Sequence, residues 1–213
     1  MESTLKNMRL FIWDFDGTLM DTYPVTFSAY LRLALADFGY NPPEAEIMEK
    51  MLVNVGHAIS YYTELYHLPQ LRERYKFHEA KGAVAMPKAY PQVVEVLDRV
   101  HELGGINCIY THRDATVFPM LEHGQLTEKF DEIIVPGHEG FAVKPAPDAV
   151  IYLMKKYGIP PEETVMVGDR ACDLESGQNA GARTLHLLTP AVPQYPPCDW
   201  RIENFGQMLE LLK

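Results

Sequence analysis

The stretch Arg9-Leu-Phe-Ile-Trp-Asp-Phe-Asp-Gly-Thr18 lies near the N-terminus of this 213-residue chain, and the rest of the sequence is best understood in relation to it. Four apolar residues, Leu10 to Trp13, precede two aspartates, Asp14 and Asp16, that are separated by one bulky residue. Such an apolar run is typical of a strand that is buried on both faces of a parallel sheet. Side chains two positions apart on an extended strand point the same way. We therefore expect both carboxylates to share one site at the carboxyl end of this strand.

Two carboxylates this close repel each other, which favours either a divalent cation between them or a raised pKa on one of them. A strand followed by an acidic turn is the plainer interpretation, because a motif of this length occurs by chance in about one chain in a few hundred. The rest of the chain must therefore supply partners for the two aspartates before they can be assigned a function.

The composition is that of an ordinary globular protein, with 47% hydrophobic and 23% charged residues. The formal net charge of −10 argues against a nucleic acid or an anionic membrane as the main partner. The same charge means that an anionic substrate needs a local positive centre, supplied by a metal ion, a basic side chain or a helix N-terminus.

The three cysteines, Cys108, Cys172 and Cys198, are widely spaced and odd in number. This pattern favours a reducing cytoplasm over a disulfide framework or a zinc site. Residues 1–7 lack the apolar core of a signal peptide, and no apolar run approaches membrane-spanning length. We expect a soluble, cytoplasmic protein.

After Thr18 the hydrophobic pattern changes to helical spacing and stays helical for some seventy residues. A break is expected at 53–57, and no strand is expected between residues 20 and 86. We therefore predict an all-helical insert at 20–86 and an α/β core formed by 1–19 and 87–213. An insert that begins directly after the Asp-x-Asp strand is well placed to act as a mobile lid.

From Tyr90 onward, short apolar runs alternate with helical patterns, which predicts a doubly wound parallel sheet. The five predicted strands are 10–13, 106–110, 132–135, 164–167 and 183–188. The predicted helices are 91–103, 114–123, 148–157, a short helix ending near Gly181, and 204–212. The proline-rich segment 190–197 is expected to be irregular.

Polar residues of distinct chemistry follow several of these strands. Their order and spacing resemble the haloacid dehalogenase superfamily of aspartate-nucleophile phosphotransferases, and within it the phosphoglycolate-phosphatase-like and β-phosphoglucomutase-like members. The residues that carry the resemblance are Asp14-x-Asp16-Gly-Thr18, Thr111, Lys144-Pro-Ala-Pro147 and Gly168-Asp169-x-x-x-Asp173. The resemblance covers the whole chain, because 20–86 matches the position of the helical cap in that family.

The resemblance implies a role for each of these residues. Asp14 would be the nucleophile that forms an aspartyl-phosphate, and Asp16 the general acid and base. Mg²⁺ would be held by Asp14, the backbone carbonyl of Asp16 and Asp169, a hard oxygen set that favours magnesium over zinc. Lys144 would neutralise charge that develops on the nucleophile and the phosphoryl group. Asp173 would orient Lys144 or a metal-bound water.

Seven residues are candidates for binding the substrate: Gly17, Thr18, Thr111, His112 and Arg113 in the core, and Asn54 and His57 in the predicted cap. Several have simpler alternatives. Arg113 could pair with Asp114, His112 could pack in the core, and His57 could begin a helix. Two positions depart from the family pattern: His57 follows the loop glycine, where proline is common, and Gln92 follows Pro91, where glycine is usual.

The function that this pattern favours is Mg²⁺-dependent hydrolysis of a small phosphorylated metabolite by a monomer or weak homodimer. A sugar-phosphate mutase of the same superfamily is an alternative, because Asp16 would serve it equally well. A non-catalytic domain that binds a phosphorylated ligand or protein is another, although a binder does not require all of the acidic and basic residues. Dehalogenase chemistry is disfavoured because it has no use for an acid at position 16.

Overall fold

The computed structural model describes residues 4–51, 55–82, 85–188 and 196–213. The chain divides into two compact units, one formed by Met1–Met20 with Ala89–Lys213 and the other by Asp21–Lys88. The sequence had predicted a helical insert over 20–86. No helix in the described ranges is long and apolar enough to cross a membrane.

The strands in chain order are β1 (Leu10–Trp13), β2 (Met20–Asp21), β3 (Lys88–Ala89), β4 (Ile106–Tyr110), β5 (Glu132–Ile134), β6 (Thr164–Gly168), β7 (Arg183–Leu187) and β8 (Trp200–Ile202). Six of them form one sheet in the order β5-β4-β1-β6-β7-β8, in which each strand runs parallel to its neighbours. The two short strands β2 and β3 pair separately. The predicted α/β fold with a parallel sheet is therefore confirmed.

The central position of β1 explains its composition. All four of its residues are buried, as expected for a strand with neighbours on both sides and helices on both faces. Trp13 lies opposite Ile109 of β4 and Val167 of β6 in the register of the sheet. The residues that follow these three strands therefore emerge at the same edge.

The helices of the sheet unit are α5 (Val93–Glu102), α6 (Val117–His123), α7 (Asp148–Tyr157), α8 (Ala171–Asn179) and α9 (Phe205–Leu211), numbered after the four helices of the other unit. Helix α5 is amphipathic, as its sequence pattern predicted. Its buried side is formed by Val93, Val96, Leu97 and Val100. The sixth strand, β8, was not predicted. It has only three residues, too few for its alternating burial to be recognised as a period of two.

The second unit consists of α1 (Phe27–Ala36), α2 (Glu44–Met51), α3 (Val55–Tyr66) and α4 (Leu71–Glu79). These helices enclose a core that includes Leu31, Leu35, Ile47, Ile59 and Tyr62. The prediction of a break at 53–57 is wrong for residues 55–57, which are the first turn of α3, while 53 and 54 lie outside the described residues. Strand β2, although only two residues long, also corrects the expectation of no strand after residue 20.

Candidate active site

Three neighbouring strands each deliver a buried polar residue to one edge of the sheet. Asp14 follows β1, Thr111 follows β4 and Asp169 follows β6, and each is at most 1% exposed. The sheet continues past the strand ends, because the Asp14 amide donates to the Val167 carbonyl at 2.9 Å. The position of these side chains therefore follows directly from strand order and register.

Lys144 lies between two buried carboxylates at this edge. Its side chain is fully buried, and Nζ lies 2.5 Å from Oδ1 of Asp14 and 2.6 Å from Oδ1 of Asp173. Nζ also donates to the Tyr110 carbonyl at 3.0 Å. Burial alone would lower the pKa of Lys144, but the charges of Asp14 and Asp173 outweigh it and raise that pKa. Lys144 is therefore held as a cation between the two carboxylates.

The surroundings shift the pKa values of the Asp14 and Asp173 carboxyl groups in opposite directions. Burial, and next the charge of Asp173, raise the pKa of Asp14 above its ordinary value, although Lys144 opposes them. Burial also favours a higher pKa at Asp173, but Lys144 and Arg170 more than compensate and lower it. Lys144 and Arg170 thus stabilise the charge of Asp173, whereas burial and the neighbouring Asp173 destabilise the charge of Asp14.

Asp173 is fixed against the end of β6. Its Oδ2 accepts a hydrogen bond from the Arg170 amide at 3.0 Å, within the first turn of α8. A Cβ on Gly168 would lie 2.3 Å from Cβ of Asp173 and 2.7 Å from its Oδ2. Only glycine at 168 leaves room for this aspartate, so packing requires the glycine of the Gly-Asp-x-x-x-Asp motif.

The donor set at this edge suits a hard divalent cation. Carboxylate oxygens of Asp14, Asp169 and Asp173 lie within 4.8 Å of one another, and all three residues are buried. The fully buried Thr18 places its hydroxyl 3.4 Å from both Asp14 Oδ2 and Asp169 Oδ1. Because Lys144 already bonds Oδ1 of Asp14 and of Asp173, the other oxygen of Asp14 and the carboxylate of Asp169 fit the ligands that Mg²⁺ prefers.

Asp16 has a different partner. The Arg113 guanidinium donates from Nε to Oδ1 and Oδ2 of Asp16 at 2.9 and 3.1 Å, and from its terminal nitrogen to Oδ1 at 2.5 Å. The pKa of the nearby Asp114 is lowered chiefly by the hydrogen bonds that its Oδ1 accepts from the hydroxyl and the amide of Thr116, and the charge of Arg113 also contributes to lowering it. Sequence reasoning missed the Arg113–Asp16 contact because it joins loops 97 residues apart.

Other predicted residues of the core lie around this centre. Oγ1 of Thr111 accepts from the Arg113 amide at 3.0 Å. Gly17 adopts a φ of 79°, which suits glycine, and its amide donates to the Met20 carbonyl at 2.9 Å. Nε2 of His112 is buried and, among the described residues, has no hydrogen-bond partner. Burial, followed by the charges of Lys144 and Arg170, lowers the pKa of His112 to about 4.

The two candidates in the helical unit are less informative. Asn54 lies outside the described residues, and His57 is an exposed residue in the first turn of α3. One residue that the sequence did not indicate is His186, which is fully buried and lies with Nε2 3.0 Å from the Asp169 carbonyl oxygen. A lone histidine on a buried strand gives no signal of such a contact, which depends on Gly168 pairing with His186 in register.

Comparison with known proteins agrees with this geometry. Residues 11–187 match the model of the haloacid dehalogenase-like hydrolase family. A phosphoglycolate phosphatase of Aliivibrio fischeri is 29% identical over 195 residues, which cover 85% of each chain. An N-acetylmuramic acid 6-phosphate phosphatase of Pseudomonas aeruginosa is 24% identical, covering 92% of this chain and 90% of the relative.

Solved structures show the same fold. A hydrolase from Streptococcus pneumoniae has a TM-score of 0.68 and 31% identity, covering 86% of this chain and 94% of its own. A hydrolase of the same family from Deinococcus radiodurans, solved with bound phosphate and sodium, has a TM-score of 0.77 and 20% identity, covering 95% and 94%. The family match spans most of the chain and includes every candidate residue of the sheet edge. The chain therefore belongs to the haloacid dehalogenase-like hydrolase family.

Proposed function

We propose that this protein is a Mg²⁺-dependent phosphatase that hydrolyses a small phosphate monoester through a phosphorylated Asp14. The observation that carries the proposal is the buried Lys144 ammonium between Asp14 and Asp173, next to the carboxylate of Asp169. The three free cysteines support a reducing cytoplasm as its setting.

The residues of the site divide the chemistry between them. One oxygen of Asp14 attacks phosphorus, so that an Asp14–phosphorus bond forms while the ester bond from phosphorus to the leaving oxygen breaks. Asp16 gives a proton to that leaving oxygen, and later takes one from the water that attacks the phosphorylated Asp14. Lys144 fixes the carboxylate of Asp14 through Oδ1, which orients it for attack.

The centre needs positive charge beyond Lys144 in order to accept a phosphate dianion. Asp14 and Asp169 would hold Mg²⁺, which when bound supplies charge that offsets the phosphoryl oxygens. The Thr111 hydroxyl and the His112 amide would donate to those oxygens, since the Arg113 amide already donates to Oγ1 of Thr111. The relatives named above act on phosphoglycolate and on a sugar 6-phosphate, so 2-phosphoglycolate and hexose 6-phosphates are the first substrates to test.

The test measures inorganic phosphate released from such a panel by the wild type, Asp14→Asn and Asp148→Asn. Asp148 is an exposed residue at the start of α7, and it provides the same chemical change outside the site. We expect Asp14→Asn to abolish phosphate release while Asp148→Asn retains it, and EDTA to remove activity that Mg²⁺ restores. Substantial turnover by a folded Asp14→Asn protein would contradict a mechanism in which Asp14 is phosphorylated.

A second readout identifies the intermediate. Acid-quenched wild type taken during turnover should carry one phosphoryl group on the peptide that contains Asp14, detected by mass spectrometry. The Asp148→Asn control should carry the same group, and Asp14→Asn should not. A phosphoryl group found on another peptide would contradict the assignment of the nucleophile.

A further inference from the structure

The contact between Arg113 and Asp16 is a planar fork. Oδ1 of Asp16 accepts two bonds, at 2.5 and 2.9 Å, whereas Oδ2 accepts one longer bond of 3.1 Å. Both side chains are nearly buried, with 7% and 8% of their surface exposed. A guanidinium forms such a fork with rigid geometry, which a lysine ammonium cannot reproduce.

Arg113 is itself held in place by the loop that follows β4. Its amide donates to Oγ1 of Thr111 at 3.0 Å. Its guanidinium donates to the Thr116 hydroxyl at 3.4 Å, and that hydroxyl donates to Asp114 at 2.6 Å. The guanidinium carbon also lies 5.9 Å from the centre of the Phe15 ring. The orientation of the fork is therefore set by the loop that follows β4 and by Phe15.

We propose that Arg113 is a positioning residue for Asp16: it anchors this carboxyl group chiefly through Oδ1. Oδ2, which accepts only the longer bond from Nε, is then the oxygen that exchanges the proton with the leaving group. This inference rests on the proposed phosphatase function and replaces the expectation that Arg113 binds the substrate anion. The geometry favours positioning because the guanidinium binds both carboxylate oxygens of Asp16, which is two residues from the nucleophile.

The two roles differ in how they depend on the leaving group. When an alkyl phosphate is cleaved, the phosphorus–oxygen bond breaks and the alkoxide oxygen takes the proton from Oδ2 of Asp16. When an aryl phosphate such as p-nitrophenyl phosphate is cleaved, the phenolate is stable and leaves without that proton. A residue that positions the acid therefore affects alkyl esters selectively, whereas a residue that binds the phosphoryl group affects both kinds of ester.

The experiment compares kcat/KM on an alkyl and an aryl phosphate for the wild type, Arg113→Met, Arg113→Lys and Arg99→Met. Because kcat/KM reports on steps up to transfer of the phosphoryl group to Asp14, hydrolysis of the intermediate does not obscure the comparison. Arg99 is a half-buried residue of α5 that pairs with Glu102 outside the site, so Arg99→Met is the matched control. Circular dichroism confirms that each variant is folded.

For Arg113→Met we expect a loss of roughly 10²-fold on the alkyl ester, the lower end for general acid catalysis, and a loss at least tenfold smaller on the aryl ester. Arg113→Lys should show the same selectivity with a smaller loss, because charge is retained and the fork is not. In an Asp16→Asn background, Arg113→Met should add little further loss on the alkyl ester, since residues that act as a unit are not additive.

Equal losses on both esters, or losses that add fully to Asp16→Asn, would overturn the positioning role and return Arg113 to substrate binding. The same follows if Arg113→Lys restores full activity on the alkyl ester, because charge alone would then suffice. These outcomes leave the proposed function intact as long as the wild type hydrolyses the esters and Asp14→Asn does not. A wild type that is inactive on both esters would instead overturn the proposed function.

Discussion

Replacing Gly168 with alanine tests how tightly Asp173 is held against the end of β6. The added Cβ would lie 2.3 Å from Cβ of Asp173, whereas carbon atoms in contact stay at least about 3.5 Å apart. Asp173 must therefore move by about 1 Å. Its 2.6 Å contact with the Lys144 ammonium cannot survive such a shift unchanged.

The magnitude follows from two contributions. Overpacking of a buried position costs about 1–3 kcal/mol, and weakening a hydrogen bond between charged groups costs about 1.5–3 kcal/mol. We expect Gly168→Ala to lower the free energy of unfolding by about 3 kcal/mol, which for a chain of this size lowers Tm by roughly 6–12 °C. A displacement of 1 Å at a catalytic group costs roughly 10²-fold in rate, so kcat/KM should fall by about that factor.

The assay combines a thermal melt followed by circular dichroism with kcat/KM on p-nitrophenyl phosphate in the presence of Mg²⁺. Gly105→Ala is the matched control, because its Cβ would lie 2.8 Å from Val100 Cγ1 at the opposite end of β4 from the site. That variant should lose stability without a comparable loss of kcat/KM at a temperature where it is folded. If Gly168→Ala has the stability and kcat/KM of the wild type, the tight contact between Gly168 and Asp173 is wrong.

Two further predictions concern the core and the pH dependence of stability. Asn107→Leu should lower the free energy of unfolding by about 3 kcal/mol, because the Trp13 indole N–H and the Leu97 carbonyl both lose their 3.0 Å hydrogen bonds to the Asn107 side chain. A urea midpoint unchanged from the wild type would contradict this. His112, whose pKa is lowered to about 4, is neutral in the folded protein at pH values where the unfolded chain, with a pKa near 6.5, takes up a proton. This histidine therefore reduces the free energy of unfolding as the pH falls from 6.5 towards 4. In urea titrations, His112→Gln should lose less stability than the wild type between pH 6.5 and 5. An equal loss would contradict a neutral His112.

The sequence carried most of the information about the sheet, because buried parallel strands and amphipathic helices leave strong local patterns. Strand β1 and helix α7 have the bounds that the apolar runs predicted. The errors fall where the local signal is weak, as in the three residues of β8 and the first turn of α3. The structure also explains the departure from the family pattern at Gln92. Its φ of 66° lies in the left-handed region that favours glycine, which is the usual residue there.

For the candidate site, the order of apolar runs and polar residues was enough to predict which chemical groups stand at the ends of the strands: Asp14 and Asp16, Thr111 and Asp169. Local alternation of strand and helix is enough to bring such residues to one edge, since parallel strands all end on the same side. The resemblance implied that Lys144 acts on the nucleophile and is oriented by Asp173. The partner of Arg113 stayed open, because electrostatic pairing depends on distances of a few ångströms between residues far apart in the chain.

The contacts between these charged groups come from the folded chain. Lys144, on a loop after β5, bonds Asp14 and Asp173 together, and Arg113 forks onto Asp16. The physical reason is burial: charges removed from water must find partners within hydrogen-bond distance, and the packing of loops against the sheet edge selects which ones. The stretch that begins at Arg9 therefore supplied the two carboxylates, and the folded chain gave each of them a different cation.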